Sequence, residues 1–187
     1  MRNVPAARHR RGAGIRPERQ EGVNVLGTLE RTGDGRCTLR FERRLRHPQS
    51  KVWRAIIEPG QMRAWFVQIL DYDRFRLDLA PGAEIVFVPK AEHEGMGVGH
   101  GVVTRLDPPN LLEYTWDSET LRWELEADGD TACRLVFTNT FDDRDAAASM
   151  GAGWHAGLDL LESMLDGRRA PEPAWDRLRA DYEHALR

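Results

Sequence analysis

Residues 111–141 read LLEYTWDSETLRWELEADGDTACRLVFTNTF, and the alternation of apolar and polar side chains through them decides the fold. Leu112, Tyr114 and Trp116 share one face of an extended chain, as do Leu121, Trp123 and Leu125, and then Cys133, Leu135 and Phe137. Glu113, Arg122, Glu124, Glu126 and Arg134 occupy the opposite faces, so each strand has a dry side and a wet one. Between the runs stand Asp117-Ser118-Glu119 and Asp128-Gly129-Asp130, short clusters of turn-forming residues. Connections this short join antiparallel neighbours, because a parallel pair needs a crossover of about a dozen residues. The pattern predicts an antiparallel meander with one apolar face in need of a cover.

Upstream, residues 37–45 alternate in the same way, with Cys37, Leu39, Phe41 and Leu45 on one face. Gly33-Asp34-Gly35 predicts a hairpin turn to a short strand over 25–30. After His47-Pro48, Ser50 is expected to cap a helix carrying Val52, Trp53, Ile56 and Ile57, stopped by Pro59-Gly60 and followed by a second short helix through Met62, Trp65 and Phe66. Further strands are expected over 74–79, 84–88 and 98–106, with turns at Pro81-Gly82 and Asp107-Pro108-Pro109-Asn110. Downstream, residues 145–166 form the longest helical pattern, with Ala147, Met150, Trp154, Leu158, Leu161 and Leu165 along one stripe and Gly167 at its end. This helix is the expected cover. A last amphipathic segment, 174–186, presents Trp175, Leu178, Tyr182 and Leu186 and is set off by Pro171 and Pro173.

A chain of 187 residues is long enough to build a core without staples. Cys37 and Cys133 have no CxxC partner and read as reduced, buried thiols. No stretch approaches the roughly 18 apolar residues of a membrane span, and no apolar signal region opens the chain, so the expected location is cytoplasmic. Residues 1–22 hold six arginines against Glu18 and Glu21, net +4, whereas the remainder is net −7. That balance argues against a nucleic-acid face on the body. The expected organisation is a basic, disordered tail over 1–22, or one added by a misplaced start before a GTG codon at Val23, then a domain over 23–170 and a helical extension over 171–187.

The order of strands, two small helices, antiparallel strands and one long helix resembles the START-like (SRPBCC) superfamily. The residues themselves resemble its branch related to the C-terminal domain of the activator of heat-shock-protein-90 ATPase: Gly27-Thr-Leu-Glu-Arg-Thr-Gly-Asp-Gly, Phe41-Glu-Arg-Arg-Leu, Val52-Trp-Arg-Ala, Ala64-Trp-Phe, Asp107-Pro-Pro, Leu112-Glu-Tyr-Thr-Trp, Thr138-Asn-Thr-Phe and Gly153-Trp-His-Ala-Gly-Leu. The resemblance runs from about Val25 to Gly167, roughly three quarters of the chain. The resemblance implies an α+β helix-grip fold, a curved antiparallel sheet wrapped around the long C-terminal helix, with an extra helix at the C-terminal end. It also implies an apolar cavity between sheet and helix, with Trp53 and Trp65 on the small helices as its lid. A small hydrophobic or aromatic molecule is the expected partner; a chaperone partner and a cavity enzyme such as a cyclase or hydrolase are the alternatives.

Several aromatic and apolar side chains converge on that interior and are the candidate ligand contacts: Trp53, Trp65, Phe66, Phe87, Trp116, Trp123, Phe137, Met150, Trp154 and Leu158. No catalytic residue, cofactor or metal ligand is expected. Glu92-His93-Glu94-Gly95-Met96-Gly97-Val98-Gly99-His100 lacks the HExxH spacing and reads as a loop leading into a strand. Its glycines at 95, 97, 99 and 101 would line one face of an extended segment, leaving room for a ligand or for another backbone. Gly151, Gly153 and Gly157 weaken the long helix by roughly 1 kcal/mol each and are read either as close packing or as a cavity floor. His155 and Asp159 are spaced as a surface i, i+4 pair, and Asp142, Asp143 and Asp145 as carboxylates at a helix start. Ser149 and Ser163 lie in no GxSxG elbow. An exposed Trp65 or Trp175 would offer a dimer contact, and a monomer or homodimer is expected.

Overall fold

The computed structural model describes residues 25–170, 172 and 174–186. The tail, Pro171 and Pro173 lie outside them. In chain order the elements are β1 (Thr28–Arg31), β2 (Cys37–Leu45), α1 (Gln49–Ile57), α2 (Pro59–Met62), β3 (Glu84–Phe87), a 3-10 turn (Ala91–Met96), β4 (Gly99–Asp107), β5 (Leu111–Trp116), β6 (Glu119–Asp128), β7 (Ala132–Phe141), a second 3-10 turn (Arg144–Ala146), α3 (Ala147–Leu165) and α4 (Trp175–Ala185).

The strands form one antiparallel sheet of seven, ordered β1-β2-β7-β6-β5-β4-β3. Its centre is the pairing of β7 with β2 and β6, where Phe137 lies opposite both Phe41 and Trp123. The alternation expected from the sequence is realised: Leu39, Phe41, Leu112, Tyr114, Leu121, Trp123, Leu135 and Phe137 are all buried on the face that α3 covers. On the opposite face Glu42 binds Arg40 and Arg134, and Arg122 binds Glu113 and Glu124. Arg134 holds the Glu42 carboxyl down at about 2. This is the helix-grip α+β architecture: a curved sheet closed around a long helix near the C-terminus.

Local details depart from the sequence expectations for physical reasons. Pro48, not Ser50, occupies the cap of α1, and no side chain bonds there; proline's fixed backbone suits the position and Ser50 falls inside the helix. Pro59 starts α2 as well as following α1, and α2 ends at Met62, so Trp65 and Phe66 sit in the turns beyond it. Residues 74–79 form no strand; a single bridge joins Arg76 to Val86, although Phe75 is buried. Residues 91–96 coil into the 3-10 turn instead of a loop, and Asp143 accepts a hydrogen bond from the Asp145 N–H where 145 was expected to begin the long helix.

On α3 burial extends beyond the expected stripe to Gly151, Ala152, His155, Ala156 and Ser163, because α4 packs on the side turned away from the sheet. Tyr182 of α4 is fully buried, while Trp175 remains half exposed. Trp65 is 1% exposed and so offers no dimer contact. No helix of the described residues is long and apolar enough to cross a membrane.

Candidate functional site

Three layers of aromatic side chains meet between sheet and α3. From the strands, Trp123 stacks on Phe137 with centroids 4.0 Å apart, and Phe87 stacks on Trp116 at 3.9 Å and 4°. Trp154 of α3 meets Phe137 edge-on at 4.6 Å. The turn after α2 contributes Phe66, with Trp65, Trp116, Trp123 and Trp154 between 5.4 and 6.4 Å away. Such offset and edge-on pairs are each worth about 0.5–1.5 kcal/mol beyond their buried area.

The structure therefore joins seven of the ten candidate residues, Trp65, Phe66, Phe87, Trp116, Trp123, Phe137 and Trp154, in one continuous network of ring contacts. Trp53 and Leu158 are buried in the same core, and Met150 packs against it. Trp65 is held by its own indole N–H, which donates to the Ala55 carbonyl at 3.0 Å. Trp116, Met150 and Trp154 are only half buried. They form the accessible fringe of an otherwise dry interior.

Polar residues at this fringe were not among the candidates. Glu119 and Asn139 share the inward parity of Leu121 and Phe137, and Asn139 is fully buried. Trp154 Nε1 donates to Asn139 Oδ1 at 2.9 Å, and Asn139 Nδ2 donates to Glu119 Oε2 at 2.9 Å. Burial raises the Glu119 pKa above the usual carboxylate range; the Asn139 bond works against that rise and the nearby Asp117 charge adds to it. The signal was in the sequence, since stepping back two residues from Leu121 lands on Glu119, but the Asp-Ser-Glu cluster reads as a turn.

The glycine readings resolve toward packing. Gly95 and Gly97 precede β4, and only Gly99 and Gly101 lie on it. A Cβ on Gly99 would stand 2.3 Å from Trp116 Nε1, and one on Gly101 only 1.9 Å from the Thr115 carbonyl oxygen. The missing side chains admit neighbours already present. In α3, a Cβ on Gly151 would stand 2.8 Å from the Tyr182 ring, so this glycine seats α4, whereas one on Gly157 would lie 3.4 Å from the Trp65 carbonyl oxygen, an ordinary contact.

His155 and Asp159 are not a surface pair. His155 is 1% exposed, and its Nδ1 lies 3.0 Å from the Tyr182 hydroxyl, which also accepts the Gly27 N–H at 2.7 Å. Asp159 stands 3.7 Å from Nε2 and 3.8 Å from Arg43. Burial lowers the His155 pKa and pushes the Tyr182 hydroxyl up to about 12. The group ties the segment before β1 to α3 and α4, beside a cavity of about 390 Å³ bounded in part by Leu26, Ala174 and Arg177. Two other cavities, of about 430 and 300 Å³, lie on the charged outer face of the sheet. None of these three is lined by the aromatic cluster. Among the described residues no three His, Cys, Asp or Glu side chains are grouped to hold a metal ion.

With this geometry in view, residues 46–166 match the model of the family described as Activator of Hsp90 ATPase homolog 1-like protein. The chain belongs to that family. The matched span runs from the end of β2 to the end of α3 and so contains every ring of the aromatic cluster. Solved structures agree on the fold of this Hsp90-activator-like chain. It is similar to CalU16 from Micromonospora echinospora, with 22% identity, TM-score 0.64 and coverage of 87% of this chain and 93% of that one. A conserved protein of unknown function from Enterococcus faecalis superposes with TM-score 0.71 at 16% identity, covering 86% and 90%. A protein from Bordetella parapertussis reaches 26% identity and TM-score 0.62 over 78% and 84%. Among curated proteins, none matches.

Proposed function

We propose that this START-like domain binds a small hydrophobic or aromatic molecule between the sheet and α3, admitted at the fringe formed by Trp116, Met150 and Trp154. The observation that carries this reading is the ring network around Phe66, in which the half-buried members flank buried ones. The rings are in contact with one another, so binding requires Trp116 to swing aside from Phe66 and a ligand ring to replace its contacts, while Trp154 stays tied to Asn139. Planar molecules fit such an exchange, because stacking lost between side chains is regained against the ligand.

The test is to titrate the full chain with 2-naphthol while following thermal unfolding. A ligand that binds only the native state stabilises it by about 2.7 kcal/mol at a hundredfold excess over Kd. For a domain of this size that is a rise of about 5–10 °C in Tm. Phe66→Leu should abolish the saturable part of the rise, and no rise across a panel of naphthalene-sized and smaller aromatics would count against the reading.

A protein-partner role has one observation of its own. Val86, Val98, Val102 and Met96 are exposed at the β3 edge of the sheet. A purified heat-shock-protein-90 homologue whose ATPase rate rises with this chain and is unmoved by Val86→Glu would remove that surface from consideration.

A further inference from the structure

Within the aromatic interior one hydrogen-bonding chain has a fixed direction. A tryptophan indole nitrogen only donates, so the Asn139 amide must turn Oδ1 to Trp154 and Nδ2 to Glu119. Glu119 Oε2 therefore accepts from Asn139, and among the described residues nothing donates to its other oxygen. Arg36, the nearby cation, spends its guanidinium on the Ser118 carbonyl, the Thr140 carbonyl and the Asp142 carboxylate. The second oxygen belongs to a half-buried residue and is left open at the fringe to accept a donor.

We infer that the ligand of this interior carries a hydrogen-bond donor, a hydroxyl or an amine, on an otherwise apolar aromatic body, and that Glu119 accepts that donor. This rests on the binding reading above and narrows it. Asn139 acts as the positioning residue: held by Trp154, it fixes the Glu119 carboxylate at the end of the ring cluster. Ligand and fringe are then coupled, since the same indole that lines the opening also orients the acceptor.

The test exploits what a glutamine would do at this position. In Glu119→Gln the new amide must still present its oxygen to Asn139 Nδ2, so its NH2 group replaces the free carboxylate oxygen and an acceptor becomes a donor. Two probes differ only in the group read: 2-naphthol donates, whereas 2-methoxynaphthalene only accepts. Binding is followed in the full chain by the indole N–H resonances in heteronuclear NMR, which also report whether the variant is folded. Wild type should bind 2-naphthol about tenfold more tightly than the methyl ether, as expected for a bond to a charged acceptor. Glu119→Gln should erase or reverse that ratio.

If both probes bind with saturable indole shifts and their ratio is the same in both proteins, donor recognition by Glu119 is wrong while the aromatic binding reading survives. If neither probe shifts any indole resonance, both fall together. Should the glutamine variant fail to fold, Trp154→Phe offers the second measurement. It removes the donor that orients Asn139, and it should reduce the preference for 2-naphthol without abolishing binding of the ether; an unchanged preference would overturn the positioning role.

Discussion

Replacing Gly101 by alanine should destabilise the domain far more than its chemistry suggests. The added Cβ would lie 1.9 Å from the Thr115 carbonyl oxygen, 2.9 Å from its carbon and 3.2 Å from the Phe87 ring. Reaching ordinary contact, near 3.4 Å, needs a displacement of about 1.5 Å, and the obstacle is backbone, which cannot rotate away. The strands β4 and β5 would have to part where the Val102 N–H donates to Thr115 Oγ1 at 3.0 Å and the Asp117 N–H donates to the His100 carbonyl at 2.7 Å. Overpacking costs about 1–3 kcal/mol and each weakened bond about 1 kcal/mol, offset by about 0.4–1 kcal/mol from the stiffer unfolded chain. The net loss should be about 2–4.5 kcal/mol, or roughly 4–18 °C in Tm. Urea unfolding followed by tryptophan fluorescence measures it, with Gly95→Ala as the control, since a Cβ there meets nothing within 4 Å. A Gly101→Ala loss below about 0.5 kcal/mol, no larger than the control, would refute the close-approach reading and restore the glycine face as open space.

Two further outcomes follow from the group around α4. Tyr182→Phe removes the acceptor of the buried Gly27 N–H and the partner of His155 Nδ1, and should cost about 2 kcal/mol in chemical denaturation, the usual penalty of stranding a buried polar group. The His155 pKa is depressed below its unfolded value of 6.5, chiefly by burial, with Asp159 opposing and Arg43 assisting. The native state thus binds fewer protons than the unfolded one, so this contribution is complete above pH 6.5 and is lost as pH falls from there toward the folded pKa. His155→Gln should flatten the stability profile as pH falls below 6.5, and an unchanged slope would show that another group sets it.

The strand alternation carried the fold because burial on one face and water on the other impose period two directly. The same period puts four side chains of β2 and the triplets of β5, β6 and β7 on the inner face, and the short turns between the later strands leave only antiparallel pairing. Residues 74–79 show where this logic stops. This segment is poorly patterned, with Phe75 buried but Leu79 exposed, and only Arg76 finds a partner, in Val86. The stripe on α3 was incomplete for a related reason. A helical stripe assumes one neighbour, whereas α3 has two, and Gly151, Gly153 and His155 face the one that lies beyond Gly167 in the sequence.

The site was legible where hydrophobicity marks it and illegible where polarity does. Tryptophan and phenylalanine at inward positions announce an interior, but a glutamate at an inward position reads as a turn residue until the strand around it is seen to extend two residues further. β6 starts at Glu119, and its side chain follows Leu121 and Trp123 onto the inner face because the backbone period leaves it no alternative. Desolvating a carboxylate there is unfavourable unless its oxygens are served, and a domain that needed only stability would gain from an apolar residue at that position. On the binding reading proposed above, an acid kept together with the fully buried Asn139 that holds it places specificity at the end of the sheet, at Glu119, and not at its centre at Phe137.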